Sequence, residues 1–284
     1  MKKTRFFLLL TIALCLSALT NAQTPKEITI YGQKIHYLEA GSGPNLILLH
    51  GLGGSSQVWQ FNIGPLAEKY HVFVPDQIGF GKSDKPLVNY RIRTYVDFLD
   101  QFCKQLKIER PSLIGNSMGG WIAAIYAATY PDRVDKLVLA DAAGYAPPKD
   151  FDTRTFFGLN PTTKAEMKIL VGKVFYNKAF QSDAAIDQSM TVRLGAGDGY
   201  TIKSITDSII RGEDFLDDVV KSIKSPTLLV WGREDGLVPL SDGERLHKDI
   251  AGSTLVVIEE CGHIPNVEKA GEFNAAVLKF LGAQ

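Results

Sequence analysis

The stretch PSLIGNSMGG, residues 111–120, decides the fold because it joins a buried strand to a helix through a tight turn. Residues 111–115 form a short apolar run, and residues 117–130 are rich in alanine and have a helical pattern. The turn has the sequence G-x-S-x-G, with Ser117 between Gly115 and Gly119. A side chain at either glycine would crowd the neighbouring backbone. In this context the pattern predicts that Ser117 projects over a sheet edge as a nucleophile.

Apolar runs and helical patterns alternate on both sides of this turn. We predict further strands at residues 27–30, 34–39, 45–50, 71–75, 136–140, 227–231 and 254–258. We predict further helices at residues 58–70, 94–106, 241–250 and 267–281, with an interruption of the first near residues 64–65. The alternation predicts an α/β fold, with a mostly parallel sheet covered by helices on both faces. Active sites in such sheets lie at the carboxyl ends of the strands.

The middle of the chain breaks this alternation. Residues 145–225 contain helical patterns at 163–177 and 205–210 but no convincing buried strand. We interpret this segment as a helical cap over the sheet, and ordinary surface helices are the alternative. The predicted division is a signal peptide at 1–22, a core at 23–144 and 226–284, and a cap at 145–225.

The N-terminus has the pattern of a secretory signal peptide. Lys2, Lys3 and Arg5 precede an apolar run at residues 6–19, and small and polar residues then lead to Ala22. The run is shorter than the roughly 20 residues that a membrane span needs. We therefore expect an exported protein, periplasmic or secreted, with no stable membrane insertion after cleavage. An uncleaved N-terminal anchor is the alternative.

The composition is that of an ordinary globular protein. The 284 residues are 45% hydrophobic and 22% charged, and 31 basic residues balance 31 acidic ones. With this balance the chain lacks the excess of basic residues that is typical of nucleic-acid-binding proteins. We predict no cofactor, and we find no cluster with metal-ligand spacing. Cys103 lies in a helical pattern and Cys261 in a loop, so we expect both to be unpaired.

A serine nucleophile needs a base, and His263 is the best candidate. It follows the predicted strand at 254–258, whereas His247 falls inside a predicted helix. The imidazole in turn needs an acid to fix its tautomer. Asp235 follows the strand at 227–231, and Asp141, after the strand at 136–140, is the rival acid. We predict Ser117, Asp235 and His263 as the catalytic residues, with Glu234 pointing elsewhere.

A glycine-rich loop, HGLGG at residues 50–54, follows another strand. Such a loop can direct a backbone N–H at the reacting carbonyl. We predict an oxyanion hole made by the N–H groups of Leu52 and Met118, with Gly53 as the alternative to Leu52. We expect His50 to form structural hydrogen bonds, and the turn-rich loop at 76–83 to be scaffold.

Apolar side chains are numerous in the predicted cap. We predict that Phe156, Phe157, Leu170 and Phe175 bind the apolar acyl group of a substrate. The alternative is that these residues only pack the cap onto the sheet.

Taken together, these motifs resemble the α/β-hydrolase superfamily over nearly all of the chain after residue 22. The shared features are the HG pair at 50–51, Asp76 with Gly79 and Gly81, the turn at 115–120, the WG pair at 231–232 with Asp235, and the GH pair at 262–263. The resemblance implies the chain order Ser–Asp–His and a cap inserted after the sixth strand.

Within that superfamily the chain is most similar to monoacylglycerol-lipase-like carboxylesterases. This resemblance implies a small-molecule ester substrate and an acyl-enzyme intermediate. Carbon–carbon hydrolases of ring-cleavage products share the GNSMGG turn and stay open as an alternative. They typically carry tryptophan after the catalytic histidine, where Ile264 stands here. A peptidase or amidase of the same fold is also open, and so is a non-catalytic binding protein. Oligomeric state is not predictable from these residues.

Overall fold

The computed structural model describes residues 23–283, and the predicted signal peptide at 1–22 lies outside them. Within the described residues, eight strands form one sheet. They are β1 (Thr24–Ile30), β2 (Gln33–Ala40), β3 (Asn45–Leu49), β4 (His71–Pro75), β5 (Ser112–Asn116), β6 (Leu137–Ala140), β7 (Thr227–Gly232) and β8 (Thr254–Ile258). Their order in the sheet is β1-β2-β4-β3-β5-β6-β7-β8.

The sheet is mostly parallel. β1 and β2 form an antiparallel hairpin through Tyr31 and Gly32, whose φ angles of 50° and 77° suit a two-residue turn. β2 also pairs antiparallel with β4, and every other neighbouring pair is parallel. This arrangement confirms the predicted α/β class. The carboxyl ends of β3, β5, β6, β7 and β8 therefore meet at one edge.

Helices cover both faces of the sheet. In the order of the chain they are α1 (Ile63–Ala67), α2 (Ile92–Gln105), α3 (Met118–Thr129), α4 (Lys164–Val174), α5 (Asp183–Gly195), α6 (Gly199–Ile210), α7 (Leu240–Asp249), α8 (Pro265–Glu268) and α9 (Ala270–Gly282). Alternate strand residues pack on opposite faces. Ile47 and Leu49 of β3 face the core with α2, α3 and α7, whereas Leu46 and Leu48 face the core with α1 and α9.

The prediction of one helix at residues 58–70 is wrong, because the structure has two short helices there. A 3₁₀ helix at Ser56–Trp59 and the short α1 replace it. Asn62, between the two, is fully buried, and its amide donates to Asn266 O and Asn274 Oδ1 at 3.0 and 2.8 Å. These contacts with the C-terminal region fix a break in the helix that propensity alone does not predict.

The segment between β6 and β7 contains α4, α5 and α6 with short 3₁₀ helices, and no strand among its described residues. α4 starts at a capping box formed by Thr163 and Glu166. It packs on α5 through Met167, Val171 and Ile186. None of the helices in residues 23–283 is both long and apolar enough to cross a bilayer.

Candidate active site

Ser117 lies in a strained turn between β5 and α3. Its φ and ψ are 55° and −120°, a region that costs a non-glycine residue on the order of 1–3 kcal/mol. The two flanking glycines make the turn possible. A Cβ at Gly115 would lie 2.2 Å from Gly119 O, and a Cβ at Gly119 would lie 2.2 Å from Leu49 O. The expectation that neither position accepts a side chain is confirmed.

Asp235 and His263 are in direct contact. Asp235 Oδ2 lies 2.7 Å from His263 Nδ1, and both side chains are buried. The other oxygen, Oδ1, accepts hydrogen bonds from the N–H groups of Leu237 and Val238 at 2.7 and 3.0 Å. With Nδ1 donating to the carboxylate, Nε2 is the nitrogen of a neutral imidazole that can accept a proton.

The side chain of Asn116 links the Ser117 turn to the loop of His263. Its amide nitrogen donates to His263 O at 3.1 Å and to Ala140 O at 3.2 Å. Ser117 N also donates to Ala140 O, at 2.9 Å. The three predicted catalytic residues therefore follow β5, β7 and β8 at one edge of the sheet. The role of Asn116 could not be predicted from the sequence, because it depends on a partner 147 residues away.

The glycine-rich loop at 50–54 lies against Ser117. A Cβ at Gly51 would be 3.1 Å from Ser117 Cβ. Met118 is the first residue of α3, where an N–H has no partner within the helix. Among the described residues, neither Met118 N nor Leu52 N donates to a backbone carbonyl. Both N–H groups are therefore available at the positions predicted for an oxyanion hole, which stays a prediction.

His50 is a structural residue, as expected. It is fully buried, its Nδ1 donates to Gly51 O at 2.8 Å, and its Nε2 accepts from Gln77 N at 3.0 Å. Burial lowers the pKa of this imidazole, which keeps it neutral. Because both ring nitrogens are engaged, His50 fixes the start of the glycine-rich loop and is not available as a base.

The loop at 76–83 is scaffold, also as expected. The buried carboxylate of Asp76 accepts from Ser56 N at 2.6 Å, from Lys82 N at 2.9 Å and from His36 Nδ1 at 3.0 Å. Burial favours the neutral acid, but the N–H groups of Ser56 and Lys82 outweigh it and lower the pKa of Asp76. Gly81 is required here, because a Cβ would overlap the Asp76 carboxyl group.

The end of α4 is bonded directly to the loops that carry Asp235 and His263. His263 N donates to Val174 O at 2.7 Å, and Gly236 N donates to Lys173 O at 3.1 Å. These acceptors are carbonyls of the last helical turn, which have no partner within the helix. The helical segment between β6 and β7 and the candidate site are therefore joined through backbone groups, for which a sequence gives no signal.

Glu268 on α8 reinforces the same junction. Its carboxylate accepts from Gly262 N at 2.8 Å, from Tyr176 N at 3.3 Å and from Asn177 N. We call these three bonds the Glu268 clamp. The clamp connects the residue before His263 to the second and third residues after the end of α4. These bonds could not be predicted from the sequence, because Tyr176 and Asn177 lie about ninety residues before Glu268.

The four predicted substrate-binding residues occupy different environments. Phe157 is 65% exposed and therefore belongs to no buried lining in this structure. Phe175 stacks on Phe180 with ring centroids 4.5 Å apart and packs on the core between α4 and α5. Phe156 and Leu170 are half-buried. The packing of Phe175 agrees with the alternative role in cap packing, and the acyl-binding role stays a prediction.

A buried ion pair lies where the helical segment between β6 and β7 meets the glycine-rich loop. Arg193 of α5 pairs with Asp198, and their side chains are 10% and 1% exposed. A Cβ at Gly53 would lie 2.8 Å from Arg193 Nη1. The guanidinium therefore touches the loop that holds Leu52, while Asp198 neutralises its charge.

Asp141, the rival acid, lies close by but is not bonded to His263. Its Oδ1 accepts from Gly232 N at 2.9 Å. Asp141, Asp235 and His263 are the single group of three potential metal ligands within residues 23–283, with ligand atoms within 4.8 Å of one another. The 2.7 Å contact between Asp235 and His263 is a hydrogen-bond distance. Asp235, not Asp141, is therefore placed as the partner of His263.

The remaining candidates have structural roles. Cys103 and Cys261 are both buried and unpaired. Glu234 accepts from Cys261 N at 2.9 Å, and the carboxylate bonded to His263 is that of Asp235. His247 lies on α7, where its Nδ1 is 2.9 Å from Ser253 Oγ.

Comparison with known proteins identifies the family. A family model described as the alpha/beta hydrolase fold matches residues 44–270. A 2-hydroxy-6-oxononadienedioate/2-hydroxy-6-oxononatrienedioate hydrolase of Escherichia coli strain SE11 is 34% identical over 264 residues, covering 87% of this chain and 91% of the relative. Among solved structures, a bacterial membrane phospholipase A is similar with a TM-score of 0.80 and 27% identity, covering 96% of this chain and 92% of that one. A meta-cleavage product hydrolase from Pseudomonas fluorescens is similar with a TM-score of 0.80 and 29% identity, covering 90% and 97%. The chain belongs to the α/β-hydrolase fold family.

Proposed function

We propose that this hydrolase cleaves carboxylic esters through an acyl-enzyme intermediate, with Ser117 as nucleophile, His263 as base and Asp235 as acid. One observation carries the proposal. The Asp235–His263 hydrogen bond of 2.7 Å lies at the same sheet edge as the strained turn that presents Ser117. A nucleophile and a base oriented by a third group form the arrangement that nucleophilic catalysis needs.

The reaction follows from the proton positions. His263 Nε2 takes the proton of Ser117 Oγ as that oxygen attacks the ester carbonyl carbon. The N–H groups of Leu52 and Met118 stabilise the resulting oxyanion. The imidazolium, held by Asp235, then protonates the departing alcohol. Water next attacks the acyl-enzyme by the same route, which releases the acid and restores the serine.

Three observations favour an ester substrate over a ring-cleavage product. The membrane phospholipase A, similar over most of both chains, is an esterase by name. The dienedioate in the name of the Escherichia coli relative carries carboxylates, which a cation would have to bind. Arg193 touches the glycine-rich loop, but Asp198 already neutralises the charge of its guanidinium, which is therefore a poor partner for a substrate carboxylate. Ile264 also stands where the carbon–carbon hydrolases typically carry tryptophan.

Carbon–carbon hydrolysis is the second candidate function. The 34% identity to the Escherichia coli hydrolase favours it. The same serine, histidine and oxyanion hole would serve such a reaction, because it also passes through attack on a carbonyl. A vinylogous 1,5-diketone of the ring-cleavage type is therefore included in the assay below.

The experiment is a panel of p-nitrophenyl esters with acyl chains from two to about sixteen carbons. We expect turnover in the wild-type protein, and a loss on the order of 10⁶-fold in Ser117→Ala. Ser241→Ala, an exposed serine on α7, is the matched control and should keep full activity. If Ser117→Ala retained more than a few per cent of turnover, Ser117 would not be the nucleophile. Turnover of the diketone alone would favour the second candidate, and turnover of p-nitroanilides a peptidase or amidase.

We also propose export of this enzyme, with removal of residues 1–22. The basic start, the apolar run and Ala22 support this proposal. The substrate would then be a small-molecule ester outside the cytoplasm, with no nucleic-acid partner. Export predicts a mature protein that begins at Gln23, which N-terminal sequencing of the extracytoplasmic fraction would test. A protein that still begins at Met1 would indicate an uncleaved anchor.

A further inference from the structure

Asp141 has an unusual position beside the candidate acid. It follows β6 directly, is fully buried, and has a φ of 44°, which is uncommon for a residue other than glycine. Its backbone N–H donates to Val230 O at 3.0 Å, so the residue is fixed against β7. The catalytic scheme proposed above does not use this carboxyl group.

The two carboxyl groups cannot both be ionised without a large cost. An oxygen of Asp141 lies within 4.8 Å of an oxygen of Asp235. Two buried negative charges at that distance repel strongly, and one shared proton removes the repulsion. The second oxygen of Asp141, Oδ2, has no hydrogen-bond partner among the described residues. A proton on that oxygen would supply the missing bond.

The hydrogen bonds decide which carboxyl group holds the proton. Asp235 accepts from Leu237 N, Val238 N and His263 Nδ1, and three donors stabilise a negative charge. Asp141 accepts from Gly232 N alone. Burial, and then the charge of Asp235, raise the pKa of Asp141 well above its usual range. Asp141 is thus the neutral member of the pair.

We propose that Asp141 keeps its proton and donates a hydrogen bond to the carboxylate of Asp235, and thereby positions the acid that holds His263. The inference rests on the proposed function, since it describes how the acid of that mechanism is oriented. Asp141 is a positioning residue. It has no hydrogen bond to the imidazole of His263 among the described residues, and it acts through Asp235.

The other titratable groups that face this pair are few. Glu268 on α8 and Cys261 after β8 interact with Asp141, and Asp242 on α7 and His263 interact with Asp235. Burial raises the pKa of the Cys261 thiol, which is therefore neutral at pH 7. A substitution at position 141 therefore changes the charge beside the Asp235–His263 pair only if Asp141 itself is ionised.

The test compares Asp141→Asn, Asp141→Ala and Asp235→Asn with the wild type in kcat/KM for the best ester, measured across pH. An asparagine amide can donate where the protonated acid donated, so Asp141→Asn should keep at least about a third of kcat/KM. Asp141→Ala has no donor and should lose roughly 10- to 100-fold. Asp235→Asn should lose on the order of 10⁴-fold.

The pH profile separates a protonated Asp141 from an ionised one. If Asp141 is neutral, Asp141→Asn removes no charge, and the acid limb of the profile should move by less than about 0.3 pKa unit. If Asp141 is ionised, the substitution removes a negative charge within 4.8 Å of His263. The apparent pKa of the acid limb should then fall by roughly two units. A shift of that size would overturn the proposal, as would a loss in Asp141→Asn equal to that in Asp235→Asn.

Infrared difference spectroscopy gives a readout that does not depend on activity. We expect the C=O band of a protonated carboxylic acid in the wild-type protein at neutral pH, and its absence in Asp141→Asn. No such band in the wild type would refute the proposal even if Asp141→Ala failed to fold. Full ester hydrolysis by Ser117→Ala would instead refute the proposed function, while the infrared band would still report the state of Asp141.

Discussion

The Glu268 clamp predicts a measurable coupling between stability and activity. Glu268→Ala removes the acceptor of three N–H groups, at 2.8 Å for Gly262, 3.3 Å for Tyr176, and a short contact for Asn177. A hydrogen bond to a charged group contributes about 1.5–3 kcal/mol. Water will replace part of this stabilisation, because Glu268 is half-buried and one bond is long. We therefore expect a loss of roughly 2–3 kcal/mol of unfolding free energy.

Thermal and urea unfolding measure this loss. For a chain of this size it corresponds to a fall in Tm of about 4–12 °C. We also expect kcat/KM to fall about tenfold, because Gly262 precedes the base and a small displacement of His263 misaligns it. Glu244→Ala, an exposed position on α7, is the control and should change stability by less than about 0.5 kcal/mol. Equal stabilities of the two variants would show that the clamp does not hold this junction.

Three further predictions concern the turn, the acid pair and the buried ion pair. Gly119→Ala should lower the free energy of unfolding by roughly 3 kcal/mol or more, or yield no soluble protein, because its Cβ would overlap the neighbouring backbone. Gly172→Ala, in open space on α4, is the control and should raise the free energy of unfolding in urea by up to about 1 kcal/mol. Folded Asp141 keeps a proton that the unfolded chain releases above about pH 3.9, so the contribution of this group to wild-type stability falls as pH rises above that value. Asp141→Asn lacks this contribution, so its stability relative to the wild type should increase by up to roughly 1.4 kcal/mol per pH unit between pH 4 and 7. A constant difference across that range would contradict the raised pKa. Arg193→Met leaves Asp198 buried without a partner and should cost about 3–5 kcal/mol, most of which Asp198→Asn in the same chain should restore. No recovery in the double variant would indicate that packing of the long side chain dominates.

The parts of the site that local rules govern could be predicted from sequence. The turn at Ser117 needs two glycines at fixed positions, and those positions can be read directly. Asp235 and His263 could be assigned because the carboxyl ends of parallel strands meet at one edge. The same rule placed Asp141 nearby, but the choice between the two acids needed the observed contact with His263.

Features that depend on distant partners could not be predicted. α5 could not be predicted because its one buried apolar residue is Ile186, so the helix shows almost no apolar face. The break at Asn62 depends on Asn266 and Asn274, more than 200 residues away. The Glu268 clamp joins backbone N–H groups, which every residue except proline carries, so no residue type marks the site.

The most direct test of the account is the site of covalent labelling by a fluorophosphonate. Intact-mass and peptide mass spectrometry should show one adduct per chain, on the serine of the turn at 115–120, and Ser117→Ala should show none. His263→Ala should label far more slowly, because it lacks the base. An adduct on another residue, or none on a folded wild-type protein, would contradict the assignment of Ser117 as an activated nucleophile.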